Sequence, residues 1–268
     1  MPELPEVETI RRSLEDIQGA RIIRLQINRM DIIRQQEFEP QSICGERIAE
    51  VKRRGKFLAL QLNKKQFLIL HMGMTGRLYL AEEDAVLTEP HVHFIVHLDS
   101  GLKMIYQDAR RFGGIWFIRD YDQFFAAMGP EPLSRQFNPA YLAEILKDRK
   151  APVKNLLLDQ HLIAGIGNIY ADESLFAARI RPDRQAKTLT PDEVKRLCRA
   201  IKAVLKNSIQ QRGTTFRDYR DGYNQKGGFQ NFLKVYGKKN QPCPICGKIL
   251  QVIRIGGRSS HFCESCQQ

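Results

Sequence analysis

MGPEPLS, residues 128–134, separates two different kinds of text. Ahead of it, short β-prone runs follow one another: ARIIRLQI (20–27), KFLALQL (56–62), QFLILH (66–71), RLYLA (77–81), HFIVHL (93–98) and LKMIYQ (102–107), with Gly, Asn or Asp turns between them. Behind it, PAYLAEILKD (139–148), VKNLLLDQ (153–160), GNIYADESLFAARI (167–180) and TPDEVKRLCRAIKAVLKNSIQQ (190–211) carry helical periodicity. The last of these opens on Thr190, Pro191 and Glu193, set out as a capping box. A Pro-rich break between a strand-rich and a helix-rich half reads as a domain boundary. The chain is therefore expected to be α+β, with an N-terminal antiparallel β-sandwich or barrel and a C-terminal helical domain. Before the first strand, Val7, Ile10, Leu14 and Ile17 recur at helical spacing. They predict an amphipathic helix from about Pro5 to Ile17, with Pro5 in the first turn, where its missing N–H is not needed.

The expected boundaries are 1–128 for the sandwich, 129–215 for the helical domain, 216–240 for a loop and linker, and 241–268 for a small cysteine-bearing module. RGTTFRDYRDGYNQKGGFQNF (212–232) is too polar and too rich in glycine to be core, and it predicts a mobile loop.

Of the 268 residues 43% are apolar and 27% charged, the balance of an ordinary globular protein. Lys and Arg number 42 against 30 Asp and Glu, a net charge of +12 that points to a polyanionic partner, nucleic acid first. Much of that excess is local, since from Arg212 onward ten basic residues face three acidic ones. No run of eighteen apolar residues exists, and the start is acidic rather than basic and then apolar, so an intracellular chain without a membrane span is expected.

Cys44 and Cys198 stand alone and read as buried small hydrophobes. Cys243, Cys246, Cys263 and Cys266 form two Cys-x-x-Cys pairs sixteen residues apart, CPIC and CESC. Four thiolates so spaced close a tetrahedral Zn2+ site on a β-hairpin. Such a site has no open coordination position, so one structural zinc is expected, its use being to present Arg254 and Arg258 to phosphate.

Three further sets of residues carry chemistry, each beside a plainer reading. In HLIAGIGNIYADE (161–173), Gly165, Ile166 and Gly167 lead into a helix whose free amides, with Asn168, suit an anion; the plain reading is a helix–helix turn. At the start, PELPEVET (2–9) follows the initiator Met, which is normally trimmed before a small residue. Trimming leaves Pro2 as a secondary amine of pKa ~8, roughly a tenth neutral at pH 7, ready to attack a sugar C1′ and form an iminium. Glu3 beside it is placed to donate a proton to the ring oxygen; the plain reading is a rigid helix entry. HMGMTG (71–76) and DARRFG (108–113) offer Met74, Arg110 and Phe112 as side chains able to enter a base stack, or else as ordinary core and surface residues.

Taken together, PELPEVET, RRGKFL (53–58), HMGMTG, DARRFG, GPEPL (129–133), GIGNIYADESLF (165–176), VYG (235–237) and CPIC...GGR...CESC occur in the order of bacterial formamidopyrimidine-DNA glycosylase, which the chain resembles from residue 2 to Cys266. One small departure is Ala109, in a slot where the family often has proline. The resemblance implies an N-terminal β-sandwich with a leading helix, a helix–two-turns–helix motif in the helical domain, and a β-hairpin zinc finger. It implies Pro2 as nucleophile, Glu3 as the acid that opens the sugar, Lys56 in proton transfer for β-elimination, and Arg258 in δ-elimination. His71, His91, Lys150, Lys154 and Asn168 match residues that grip phosphates, with His93 and Arg149 close rivals of His91 and Lys150. Met74, Arg110 and Phe112 match the trio that fills the space left by the extruded nucleotide, and residues 216–229 match the loop that closes over the base. The expected partner is damaged double-stranded DNA, with no membrane and no small-molecule cofactor, acting as a monomer in the bacterial cytoplasm at the nucleoid. Two alternatives stand beside this: a sister glycosylase for oxidised pyrimidines, disfavoured by PELPEVET and DARRFG, and a non-catalytic zinc protein that binds DNA by charge.

Overall fold

The computed structural model describes residues 1–62, 65–216 and 219–268. It divides into two compact units, Met1–Ala127 with Gln211–Gln230, and Met128–Gln210 with Asn231–Gln268.

The first unit begins with α1 (Leu4–Ser13), followed by β1 (Ile22–Ile27), β2 (Ile33–Gln36), β3 (Ile48–Arg54), β4 (Phe57–Leu62), β5 (Phe67–His71), β6 (Gly76–Glu82), β7 (Val92–Leu98), β8 (Leu102–Asp108), β9 (Gly114–Ile118) and the short α2 (Tyr121–Phe125). Two sheets form, in the orders β1-β7-β8-β6 and β2-β9-β5-β4-β3. Alternate apolar residues of both sheets meet in one core, where Leu58, Leu60, Leu68, Leu70, Phe94, Val96 and Phe117 pack with Val7 and Ile10 of α1. One pairing departs from the antiparallel expectation: β2 runs parallel to β9. Those strands are far apart in the chain, which leaves room for the long crossover that parallel pairing needs. The leading helix is also shorter than its periodicity suggests, because the Ser13 hydroxyl donates back to the Thr9 and Ile10 carbonyls and residues 15–17 tighten into a 3-10 turn.

The second unit holds α3 (Pro139–Leu146), α4 (Val153–Leu158), α5 (Asn168–Ala178), α6 (Pro191–Gln210) and the hairpin β10 (Gln251–Ile255) and β11 (Arg258–Phe262). The predicted capping box opens α6: Thr190 N–H donates to Glu193 Oε2 at 2.8 Å and Glu193 N–H to Thr190 Oγ1 at 3.3 Å. Between α4 and α5 the chain makes two turns knitted by one side chain. Gln160 Nε2 donates to the carbonyls of Leu158 and Ile166 at 2.9 Å, and its Oε1 accepts from Gly165 N–H at 2.8 Å. Tyr170, Leu175, Leu197, Ile201 and Leu205 bury the α5–α6 contact. The fold is thus α+β, a β-sandwich unit and a helical unit with a cysteine hairpin. Among the described residues no helix is long and apolar enough to cross a membrane.

Candidate active site

Pro2 and Glu3 are both buried at the entrance to α1, while Met1 remains half exposed. Glu3 caps the helix in a reciprocal box with Glu6. The Glu6 carboxylate does two jobs: Oε2 accepts from Glu3 N–H at 2.8 Å and Oε1 from Thr214 N–H at 2.7 Å. One enclosed carboxylate therefore ties the chain start to the far segment 211–230. The sequence reading did not single out Glu6, although its place three residues after a cap was the available signal.

Lys56 sits with Gly55 in the two-residue turn joining β3 and β4, rather than within a strand, and is buried. His71 ends β5 and lies in register with Phe57, its ring 4.6 Å from the Phe57 ring. Burial first, and the Lys56 charge second, push the His71 imidazole down to about 4. It is therefore neutral near pH 7. With its Nδ1 accepting from Gly73 N–H at 3.1 Å, Nε2–H is left as the donor.

The turns of HMGMTG and DARRFG are fastened together by Asp108, whose side chain is fully enclosed. Asp108 Oδ1 accepts from the Thr75 hydroxyl at 2.5 Å and Oδ2 from Gly113 N–H at 2.9 Å, while Arg110 N–H donates to Thr75 Oγ1 at 3.2 Å. Gly73 has φ +56° and a Cβ there would stand 2.3 Å from Gly113 N, so only glycine lets the turns approach so closely. Met74 and Phe112, 46% and 61% exposed, consequently project outward with Arg110. Arg110 touches both of the others: its Nη2 donates to Met74 Sδ, and its guanidinium lies 4.7 Å from the Phe112 ring centre. His91 is exposed at φ +67°, whereas neighbouring His93 is buried with Nε2 2.9 Å from the Asp108 carbonyl. Asp108 and Thr75, which build this turn, were missed from sequence because neither residue type announces a buried hub.

In the second unit, Asn168 begins α5 directly after Gly167, and its Nδ2 donates to the Ser259 carbonyl at 3.1 Å. Arg258 is exposed beside the Gly256–Gly257 turn of the β10–β11 hairpin, so Asn168 and Arg258 come together across Ser259. Lys150 is exposed ahead of α4. Lys154, expected on phosphate, is different. Its ammonium is fully enclosed, 2.6 Å from Asp172 Oδ1, and donates to Ser260 Oγ at 2.8 Å and the Ser259 carbonyl at 2.9 Å. With no exposed surface, the ammonium does not reach solvent, where a phosphate would lie. His261 completes the cluster, its N–H and Nδ1 lying 2.8 and 3.0 Å from Asp172 Oδ2.

The Sγ atoms of Cys243, Cys246, Cys263 and Cys266 all lie within 4.8 Å of one another, with Cys243–Cys266 at 3.9 Å and Cys246–Cys263 at 3.5 Å. Sulfurs at the corners of a tetrahedron around Zn2+ stand about 3.8 Å apart, so the cluster fits one zinc in a closed four-thiolate shell. Cys243 and Cys263 are buried with Phe176, Val235 and Leu250, so the metal site is also a small core that fastens the hairpin to α5. Zinc here is structural.

Comparison with known proteins agrees with this architecture. Residues 1–115 match the formamidopyrimidine-DNA glycosylase N-terminal domain, 128–220 the formamidopyrimidine-DNA glycosylase H2TH domain, and 240–268 the zinc finger found in FPG and IleRS. A formamidopyrimidine-DNA glycosylase of Syntrophomonas wolfei is 57% identical over the whole of both chains, and one of Pelotomaculum thermopropionicum is 44% identical over all of this chain and 99% of its own. Wild-type Lactococcus lactis Fpg (MutM), solved with a N7-Benzyl-Fapy-dG containing DNA, superimposes with a TM-score of 0.92 at 35% identity over the whole of both chains. MutM (FPG) of Thermus thermophilus gives 0.89 at 39% identity, covering 99% of this chain and 98% of that one. The sandwich, the two-turn helical motif and the cysteine hairpin thus define a zinc-finger DNA glycosylase. Within that class, the chain belongs to the formamidopyrimidine-DNA glycosylase family.

Proposed function

We propose that this protein excises oxidised purines, 8-oxoguanine and formamidopyrimidines, from duplex DNA and then cleaves the strand by β,δ-elimination. The observation that carries the reading is the pairing of Pro2 with Glu3 at the enclosed entrance to α1. Removal of Met1 frees the Pro2 amine to attack C1′, displacing the base, and Glu3 protonates the sugar ring oxygen. The resulting iminium acidifies C2′. Loss of that proton, with Lys56 as carrier, expels the 3′ phosphate, and a second elimination, with Arg258 on the phosphate, expels the 5′ phosphate. Met74, Arg110 and Phe112 fill the vacated stack, the guanidinium facing the orphaned cytosine. His71 through Nε2–H, His91, Lys150 and Asn168 hold backbone phosphates. Lys154 serves by holding the Ser259–Ser260 strand from beneath. The zinc supplies no chemistry and keeps the hairpin that carries Arg258 folded. The protein acts as a monomer, with no small-molecule cofactor, on nucleoid DNA in a bacterial cytoplasm.

Borohydride reduction with duplex carrying 8-oxoguanine opposite cytosine tests this. The expected result is a covalent protein–DNA adduct mapped to Pro2. Binding without an adduct would make the chain a non-catalytic DNA-binding protein, and a stronger adduct on thymine glycol duplex would make it the pyrimidine enzyme.

A further inference from the structure

The segment 211–230 packs with the sandwich unit, and residues 219–225 are fastened to α1 and its continuation rather than left as a free loop. Tyr219 is buried in the sandwich core, and its hydroxyl donates at 3.3 Å to the Glu6 carbonyl and at 3.2 Å to that of Arg212. Gly222 N–H donates to Ser13 Oγ at 2.9 Å, and the Gly222 carbonyl accepts from Leu80 N–H of β6 at 2.8 Å. A Cβ at Gly222 would stand 2.4 Å from Ser13 Oγ, so the approach is as close as backbone allows. Tyr223 then reaches over to donate to Asp16 Oδ2 at 2.6 Å. Residues 221–225 are self-closed: Asp221 Oδ1 accepts from the N–H groups of Tyr223 and Gln225, and its other oxygen pairs with Arg212.

We infer that Ser13 and Asp16 are positioning residues for base excision, a latch by which the helix that follows Pro2, with the 3-10 turn after it, holds the 219–225 segment in place before DNA arrives. Ser13 suits this, because its hydroxyl gives its proton to the Ile10 carbonyl and so keeps a lone pair for Gly222 N–H. Helix α1 then has the nucleophile just ahead of it, Glu6 under Thr214 in its first turn, Ser13 in its last turn and Asp16 in the 3-10 turn beyond. A segment ordered in advance loses less freedom when it closes on an extruded base. An abasic sugar offers no base to close on, so the latch bears on base release and not on strand cleavage at a sugar already stripped. This rests on the function proposed above.

The test uses the full chain with Ser13→Ala and Asp16→Ala, alone and combined. Amide exchange at Gly222 and Tyr223, without DNA, is expected to be slow in the unaltered protein and at least tenfold faster in the double variant. Single-turnover release of 8-oxoguanine is expected to slow about tenfold, the scale of a lost hydrogen bond, while cleavage at a preformed abasic site stays within about twofold. Asp16→Asn and Ser13→Thr, which keep the acceptors, are expected to restore base release. Equal loss of both activities would make the contact merely structural, and no change in exchange or in base release would remove the latch. If the unaltered protein released no base and cleaved no abasic site, the functional reading itself would fall.

Discussion

Lys154 Nζ lies 2.6 Å from Asp172 Oδ1, and neither side chain reaches solvent. A buried pair broken on one side leaves a charge without compensation, at a cost of about 3–5 kcal/mol. Lys154→Ala is therefore expected to lower the denaturant midpoint of the helical unit sharply and to weaken DNA binding through the displaced hairpin. Lys150→Ala, at an exposed position, should leave stability unchanged while reducing the salt dependence of DNA binding by about one phosphate contact. Chemical denaturation with salt-dependent binding isotherms checks both, and a stable Lys154→Ala would refute the enclosed pair.

Asp108 accepts from Thr75 and from Gly113, so Asp108→Ala strips two turns of their common acceptor. Destabilisation of about 2–4 kcal/mol is expected, along with slow excision opposite cytosine, because Arg110 and Phe112 lose their platform. Met74→Ala, at a projecting side chain, should slow excision with the melting temperature nearly unchanged. Parallel calorimetry and excision assays separate the two cases.

How legible these features were in the sequence follows their range. The helices and strands were readable because apolar spacing is a local signal, and the zinc set was readable because four thiolates in two close pairs suit little else. Pro2, Glu3 and the trio of Met74, Arg110 and Phe112 were singled out because whole motifs carry them, and their roles rest on the function proposed above. Lys154 shows where a local reading stops: a lysine in the first turn of a helix looks identical whether it meets phosphate or an aspartate eighteen residues onward, and only the fold brings Asp172 to it. Glu6 and Asp108 were missed on the same ground, since each carboxylate accepts from a donor far along the chain, Thr214 N–H and the Thr75 hydroxyl, while Gln160 was missed because its turn is knitted by backbone groups that no residue type announces. Residues 212–232 looked mobile by composition, yet Tyr219 and Phe229 are buried there. Two aromatic anchors outweigh a glycine-rich average.

His71 offers a pH test. Its folded value of about 4 lies below the ordinary 6.5, so between those values the unfolded chain binds more protons than the folded one. Stability contributed by the neutral ring is fully present above pH 6.5 and is lost as pH falls toward 4, by as much as about 3 kcal/mol. His71→Gln should flatten that part of the stability profile. Denaturation midpoints collected from pH 4 to 7 would show it, and an unchanged slope would mean that His71 titrates normally.

Pro2→Gly keeps a terminal amine but makes it primary, so its imine is cationic only when protonated. Borohydride trapping is expected to fall without vanishing, and strand cleavage to slow more at high pH than at low pH. Retention of Met1 should abolish trapping outright, because the nitrogen of Pro2 is then an amide. Full trapping with Met1 shown by mass spectrometry to be in place would remove Pro2 from the mechanism.

Cys263 and Arg258 share a hairpin but not a task. Cys263→Ser removes one of four ligands, and a closed tetrahedral site cannot replace it from within. Zinc content and DNA affinity are expected to fall together, since the core of Phe176, Val235 and Leu250 loses its metal fastening. Arg258→Ala should instead keep one zinc per chain, lose affinity only through the phosphate contact proposed for this exposed side chain, and leave the product of the first elimination to accumulate. Metal analysis beside denaturing gels of the cleaved strand distinguishes the two. Should Cys263→Ser bind duplex as tightly as the unaltered protein, the hairpin would have no part in holding DNA, and Arg258 would lose its proposed role with it.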